Sequence, residues 1–431
     1  MLYIGLDDTD SVRGGCTTWL ATEIIIELSE FDLVCHPRLV RLNPNVPWKT
    51  RGNGAVSLAF GKGVGSKQKV GSFGDTEIYA FERGEDFQYD PKEVLKRISN
   101  IVSKYSMPSS QPGVVISHCL LPEDLYWQGV TGIVSKQSLS KAVEDHLTFG
   151  IRESRGIYGA ACSLAWPNKS NKGDKISHTW ELIGYRQRDK WGKKRDISSH
   201  TVKKISKLEG VFSCNDLDGK VAMVPNSPCP VLWGFRGTKA DVLVKNFCKL
   251  GPEKPSRWIL YKTNQATDNH FCLKTVSEIS DGDSVWLESS VESKAEIIKG
   301  GHRFFKIKDS KNEVIKCAAF EPTKEFRNVI DELEIGDSLI VYGSVNNNTI
   351  NLEKIKIKNL VQRFLKPENP LCKCGRRTHS SGKDSYYRCK LCGLRYDRPK
   401  LIESSTKLST IWYEPPASAR RHLTTPISLM R

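Results

Sequence analysis

The first eighteen residues, MLYIGLDDTDSVRGGCTT, constrain the fold of this chain more than any other stretch. The apolar run Leu2–Leu6 reads as a buried strand, and it ends directly in Asp7, Asp8 and Asp10. Gly14 and Gly15 follow, and Thr17 and Thr18 open an amphipathic helix that the pattern carries to about Phe31. Three carboxylates at a strand end can hold a hard cation such as Mg2+, which prefers oxygen ligands and keeps bound phosphates. Glycines let the backbone approach phosphate oxygens, and a helix start offers unpaired N–H donors to an anion. The segment therefore reads as an ATP–Mg2+ site, with Gly14, Gly15 and Thr17 as phosphate-binding candidates. The structural alternative is an Asp-rich turn with Thr17 as helix cap. No Gly-x-x-x-x-Gly-Lys motif occurs in the chain.

With 431 residues the chain has room for about two to four domains, and 39% hydrophobic content is enough for ordinary cores. The formal net charge of +16 favours a polyanionic partner, of which nucleic acid is the commonest. No window approaches the roughly 18 apolar residues of a membrane span. The start is a strand followed by acids, not a signal peptide, so the expected compartment is the cytoplasm. Nine of the thirteen cysteines are scattered and are expected to be small core residues of a protein kept reduced.

Strand-like runs at Leu39–Leu42, Ala55–Phe60, Ile78–Phe81 and Gly113–Ser117 alternate with helical patterns at Thr17–Glu30, Pro91–Tyr105 and Ser138–Phe149. This implies an α/β or α+β first domain over residues 1–175, with Gly61–Gly74 as a loop or hairpin. Over residues 176–268, strands at Trp180–Arg186, Val211–Asn215, Lys220–Val224, Val231–Phe235 and Arg257–Thr263 join helices at Ser198–Leu208 and Thr238–Lys249. With one middle strand set aside, this is the order of a ferredoxin-like domain. Nine Lys/Arg against two acids lie between Arg186 and Lys207, and Trp191 inside that run suggests an RNA-facing loop. Lys193, Lys194 and Arg195 are its candidate RNA contacts. Five short strands over residues 269–361, with a helix near Thr323–Ile330 between the third and fourth, follow the order of an OB-fold barrel.

Cys372, Cys374, Cys389 and Cys392 form Cys-x-Cys, fourteen residues, then Cys-x-x-Cys. Two thiolate pairs on two turns supply four sulfurs for one tetrahedral Zn2+, so residues 362–402 read as a zinc ribbon. Between Lys354 and Lys400 stand fourteen Lys/Arg and three acids, which makes Arg376 and Arg377 candidate nucleic-acid contacts. The polar tail, 403–431, adds Trp412-Tyr413 and Arg420-Arg421-His422; Trp412, Arg420 and Arg421 are candidates for RNA contact or for docking onto a domain.

The opening GLDDTD and GGCTT, the segment Arg155–Ala161 (RGIYGAA), the Trp180–Tyr185 strand, the zinc ribbon and the tail WYEPPASARRHLTTPIS resemble the archaeal tRNA agmatinylcytidine synthetases over essentially the whole chain. The resemblance implies a multidomain α+β protein: an α/β kinase-like N-terminal domain, a ferredoxin-like domain, an OB-fold and a zinc ribbon. It also implies a reaction on the CAU-anticodon isoleucine tRNA. ATP phosphorylates the C2 carbonyl oxygen of the wobble cytidine, agmatine displaces the phosphate, and ATP ends as AMP. By motif, Asp7, Asp8 and Asp10 take the place of the family's acidic cluster and Thr18 that of its phosphorylated threonine. The guanidinium of agmatine calls for a carboxylate fork, for which Asp216 and Asp218 are candidates. The residues themselves leave two other readings open. One is a non-catalytic OB-fold and zinc-ribbon nucleic-acid-binding protein; the other is a tRNA-modifying enzyme that uses another amine, such as lysine.

Overall fold

The computed structural model describes residues 1–50, 52–167, 177–215, 219–381, 386–397 and 400–430. Strand β1 (Leu2–Asp7) buries Leu2, Ile4 and Leu6 and leads through the acidic turn into helix α1 (Thr17–Glu27). The chain continues through β2 (Asp32–Leu33), β3 (Arg38–Arg41), β4 (Gly54–Phe73), β5 (Thr76–Glu85), α2 (Pro91–Tyr105) and β6 (Gly113–Ser117). Helices α3 (Glu123–Thr131) and α4 (Lys136–Val143), strand β7 (Leu147–Gly150) and helix α5 (Gly156–Leu164) complete the N-terminal unit. Within it β1 lies between β4 and β6, and every strand pairing is antiparallel, so the α/β-or-α+β choice resolves to α+β.

Three local expectations change. Gly61–Gly74 is mostly strand: β4 runs unbroken to Phe73, and the hairpin to β5 turns at Gly74, where φ is +61°. The helix expected over Ser138–Phe149 stops at Val143, because Leu147–Gly150 instead satisfies the edge of β6. Helices α3 and α5 had no periodic signal strong enough to be read. Of the nine scattered cysteines only Cys162, Cys214, Cys229 and Cys317 are buried; Cys35, Cys119 and Cys248 are exposed, standing outside the strands and α-helices where the core forms.

The second unit comprises β8 (Thr179–Tyr185), α6 (Ser199–Ile205), β9 (Val211–Phe212), β10 (Val231–Gly237), α7 (Ala240–Asn246) and β11 (Arg257–Thr263). Its strands lie in the order β11-β8-β10-β9, all antiparallel. The expected 211–224 hairpin reduces to β9 and one bridge, Asn215 to Val221. Strand β11 also pairs in parallel with β3 and in antiparallel with the far end of β4, where Gly71 leaves no room for a side chain: a Cβ would lie 2.7 Å from the Trp258 carbonyl. The two units therefore share one eleven-stranded sheet. Ile183, Tyr185, Ile259 and Tyr261 of the second join the same apolar cluster as Leu2, Ile4 and Ile24 of the first.

Next come β12 (Cys272–Leu273), β13 (Ser284–Val291), β14 (Glu296–Ile297), β15 (Arg303–Lys308), β16 (Val314–Ala319), α8 (Phe326–Asp331), β17 (Ser338–Asn346) and β18 (Thr349–Asn359). Pairings β13–β17, β17–β18, β18–β16, β16–β15 and β15–β13 close a barrel. Beyond it β19 (Arg363–Leu365) pairs with β23 (Ile402–Ser404), flanking a small sheet of β20 (His379–Ser380), β21 (Tyr387–Arg388) and β22 (Arg395–Tyr396). The tail is not irregular throughout: β24 (Trp412–Tyr413) adds to β18 of the barrel.

Helix α5 lies against the end of β1 at distances only glycine permits. A Cβ on Gly5 would meet the Ala160 carbonyl oxygen at 2.3 Å, and one on Gly159 would meet the Asp7 carboxylate at 1.8 Å. Substituting Gly159→Ala is expected to push α5 away from β1 and cost about 1–3 kcal/mol of stability, as overpacked cores do. Urea denaturation of the variant beside the parent measures it; equal midpoints would show that the contact yields freely.

Candidate active site

The acidic turn is built by backbone geometry and two threonines. Asp8 sits at φ +53°, and the buried Thr9 donates from its N–H (3.4 Å) and its hydroxyl (3.2 Å) to Thr17 Oγ1. Ser11 and Gly14 exchange two backbone hydrogen bonds, of 2.8 and 3.1 Å, and Gly14 and Gly15 take φ values of +146° and +76° that favour glycine. Thr17 is therefore not the helix cap. Cys16 occupies that position, and the Thr17 hydroxyl is engaged by Thr9. The second unit pins the same helix: the Tyr261 hydroxyl donates to the Thr18 carbonyl at 2.8 Å, and Arg257 bonds Thr22 and Glu23 at 2.7 and 2.6 Å.

Asp7, Asp8, Asp10, Thr17 and Thr18 all line one cavity of about 780 Å3. Gly14 and Gly15 are not among its lining residues; they shape the turn behind it. Burial, then Asp8, pushes the Asp7 carboxyl up to about 8. Burial and Asp10 raise Asp8 to about 6, against a backbone hydrogen bond from Gln111 and the charges of Arg155 and Arg152. Carboxylates so placed repel one another, and as hard oxygen donors they suit a divalent cation.

The facing wall is basic and was not read from the sequence. Glu181 accepts from Arg236 at 3.0 Å and Arg41 at 3.4 Å, and from Gln265. Burial alone would raise Glu181, but Arg236 and Arg41 overcome it and hold its carboxyl below the usual range. The detectable signal was charge inside largely apolar strands: Arg41 in RLVRL, Glu181 in TWELIGY, Arg236 in VLWGFRG. Lys49, pushed down to about 8 by burial and by Arg421, lines the same cavity, as do Trp48 and Arg155.

The tail closes the cavity. Leu423 is buried in the cluster of Val40 and Leu42, and its carbonyl accepts from Thr267 and Asp268. Thr424 donates to Glu353 at 2.5 Å, and Thr425 is bonded to Asp268 and Ala266. Arg420, Arg421 and His422 then face the cavity. Burial, followed by Arg41 and Arg236, holds the His422 ring far below its ordinary pKa, so it is neutral at pH 7.

The remaining candidates scatter. Asp216 and Asp218 lie outside the described residues. Lys193, Lys194, Arg376 and Arg377 are exposed. Arg195 is occupied by the carbonyls of Pro225, Ser227, Cys229 and Val231 at 2.8–3.0 Å, a staple for its own loop. Trp191 packs edge-on against Trp19 at 5.2 Å rather than facing RNA. Trp412 lies 5.6 Å from Tyr342 on the barrel; Arg420 pairs with Glu414 at 3.1 Å, and Arg421 donates to the Pro44 carbonyl at 3.0 Å.

The four ribbon sulfurs lie within 4.8 Å of one another, with pairs at 3.2, 3.5 and 3.8 Å. A tetrahedron with Zn–S of about 2.3 Å has edges of about 3.8 Å, so the donor set fits zinc. Two glycine-bearing turns, with Gly375 at φ +82° and Gly393 at +73°, present the pairs, and the Tyr396 hydroxyl donates to Cys372 at 3.3 Å.

Sequence models of three family domains match the chain: the TiaS TCKD domain over residues 3–152, the TiaS FLD domain over 154–270, and the TiaS C-terminal zinc ribbon domain over 369–406. The isoleucine-tRNA 2-agmatinylcytidine synthetase TiaS of Methanocaldococcus jannaschii is 35% identical over 454 residues, covering 100% of this chain and 99% of that protein. Among solved structures, a complex of TiaS with its isoleucine tRNA and ATP superposes with a TM-score of 0.83 at 31% identity, covering 100% of this chain and 97% of the other. A complex of TiaS with the same tRNA, AMPCPP and agmatine gives 0.80 at 29%, with the same coverage.

Two outcomes follow from this geometry. The folded Asp7 pKa of about 8 lies above the ~3.9 of an unfolded aspartate. Between those values the folded chain binds more protons at this group, so the contribution of Asp7 to stability is fullest below about pH 4 and is lost as pH rises towards 8. Asp7→Asn removes this titration and should be the more stable protein at pH 8, by on the order of 1–3 kcal/mol. Urea midpoints at pH 5 and 8 test it; a parent–variant difference independent of pH would contradict the burial of this charge. In the ribbon, Cys389→Ser should release one zinc per chain, measured by elemental analysis, and unfold the ribbon locally, since so small a unit depends on its metal.

Proposed function

The chain belongs to the TiaS family, and from that premise and the cavity we infer how its own residues divide the reaction. The chain is an ATP-dependent tRNA-cytidine agmatine ligase. It phosphorylates the C2 carbonyl oxygen of the wobble cytidine of the CAU-anticodon isoleucine tRNA and replaces that oxygen with agmatine. The oxygen of a pyrimidine carbonyl is a poor leaving group. Phosphorylation makes it a good one, so the amine nitrogen can form the new C–N bond while the C–O bond breaks and phosphate departs.

One observation carries the assignment of roles: the acidic turn, the start of α1 and basic residues from three parts of the chain converge on one cavity. Asp7, Asp8 and Asp10 are suited to hold Mg2+, which would neutralise charge on the transferring phosphate. The N–H donors at the start of α1 and the Arg41, Lys49 and Arg421 side chains stabilise the remaining phosphate charge. Thr18, which lines the cavity 3.0 Å from Cys16 Sγ, is placed to accept a phosphate on its hydroxyl. Asp216 and Asp218 remain the candidates for the agmatine guanidinium. A nucleic-acid-binding module would have no use for half-buried, mutually repelling carboxylates lining one cavity with a helix start.

We read the architecture as the family's: residues 1–175 kinase-like, 176–268 ferredoxin-like, 269–361 an OB-fold, 362–402 a zinc ribbon and 403–431 the tail. The β11-β8-β10-β9 order supports the second of these, and the closed five-strand circuit with α8 between β16 and β17 supports the third. Exposed Lys193, Lys194, Arg376 and Arg377 are suited to tRNA phosphates, whereas Arg195 and Trp412 serve internal contacts and Arg420 and Arg421 serve the cavity. Among the described residues no helix is long and apolar enough to cross a membrane, which agrees with work on tRNA in the cytoplasm.

The test is mass spectrometry of nucleosides from a transcript of this isoleucine tRNA incubated with the protein, ATP, Mg2+ and agmatine. Agmatidine should form, Asp8→Asn should lower its rate at least a hundredfold, and Thr18→Ala should abolish phosphopeptide labelling at that position. Product with lysine instead of agmatine would overturn the choice of amine, and a phosphate on Thr17 would overturn the role of Thr18.

A further inference from the structure

Trp48 is an exposed tryptophan in a loop that is otherwise tied down. Residues 42–53 join β3 to β4, and the Asn45 amide donates to the Gly282 and Asp283 carbonyls and to Ser284 of the barrel at 2.9–3.1 Å. Arg421 of the tail bonds the Pro44 carbonyl, and Asn53 bonds the Asn43 carbonyl at 2.8 Å. An anchored loop could bury an indole; this one leaves it 49% exposed. Ile133, also lining the cavity, is 65% exposed. Both are exposed apolar residues lining a cavity that also carries acids and bases. The Arg155 guanidinium lies 5.6 Å from the centre of the Trp48 ring, its Nε donates to Gln111 at 2.8 Å, and its charge acts on Asp8. The ring is thus one side chain away from the acidic turn.

We infer that Trp48 is the stacking platform for the target nucleobase once that base is drawn out of the tRNA loop, with Ile133 adding apolar surface and Arg155 backing the indole. This rests on the function proposed above. A flat apolar surface at a cavity mouth recognises the π-face of a base, and indole is the best side chain for it. Enzymes that act on a base within nucleic acid extrude it and stack it in a pocket. Two nucleobases take part in the reaction, and the geometry favours cytosine over the adenine of ATP. The cytosine carbonyl oxygen must touch the transferring phosphorus, so its ring lies next to the acidic turn. Adenine is separated from that phosphorus by a ribose and further phosphates.

The test is a double-mutant cycle in the full-length protein. Parent, Trp48→Leu and Trp48→Phe are titrated with the isoleucine tRNA transcript and with the same transcript abasic at the wobble position. Trp48→Leu should weaken binding of the intact tRNA by roughly tenfold or more, in line with alanine substitutions at base-stacking aromatics. It should leave binding of the abasic tRNA almost unchanged, and Trp48→Phe should recover most of the loss. Equal penalties on both tRNAs would show that Trp48 shapes the loop only and would overturn the inference. Weaker equilibrium binding of ATP without loss of tRNA binding would assign the ring to adenine and overturn it as well. The cycle needs no turnover, so failure of the modification reaction would count against the proposed function and leave this inference readable.

Discussion

Strand β11 is the element on which the rest of the molecule depends. By sequence it ends the second unit; by hydrogen bonding it belongs to two. One edge runs along β8, and the other meets β3 in parallel and the tip of β4 in antiparallel. Sheet edges left unpaired are a liability, and here that liability is removed by continuing one sheet into the other. Leu39 and Arg41 on β3, Glu181 and Ile183 on β8, and Gly234 and Arg236 on β10 consequently face the same cavity, although nearly two hundred residues separate the first from the last. From the same strand, Tyr261 reaches the carbonyl of Thr18. The acidic turn and the basic residues of the cavity are therefore held by one continuous backbone ladder.

That ladder makes possible an arrangement that is costly in isolation. Placing Asp7 and Asp8 side by side at a buried strand end raises both carboxyls, and the packing of α5 through glycine drives Asp7 further from water. On the opposite wall, burial of Glu181 is offset by two arginines and an amide. Acids that repel and a positive wall that attracts anions lie across one cavity. A metal-bound polyphosphate carries the cation that suits the one and the anion that suits the other. On the function proposed above, the electrostatic strain of the protein alone is what such a ligand would relieve.

The tail shows the same logic at the level of the chain. Its anchoring groups come from the N-terminal core, from the connection after β11 and from the barrel: Leu423 beside Val40 and Leu42, Thr425 on Asp268, and Thr424 on Glu353. Around these fixed points Arg420, Arg421 and His422 are brought to the cavity rather than left to solvent. The barrel and the cavity are thereby joined through a segment that reads as a polar tail.

Much of this was legible in the residues, and the division follows interaction range. Strand β1, the acidic turn, the glycines and the start of α1 are consecutive, so apolar runs and turn chemistry were sufficient to place them. Two cysteine pairs on short turns announce a tetrahedral metal site for the same reason. Most elements of the second unit and the barrel could be read because each carries its own periodicity. Contacts between distant segments left no local pattern. Thr17 resembled a cap until Thr9 claimed its hydroxyl; Trp191 and Arg195 resembled RNA contacts until neighbouring loops enclosed them. Arg41, Glu181 and Arg236 were isolated charges in apolar strands until the sheet set them together. The sequence by itself determined which elements form and which chemistry stands at their ends, because those depend on neighbours within a few residues. Only the tertiary structure decided which charges share a cavity, since that depends on the pairing of β11 and the docking of the tail.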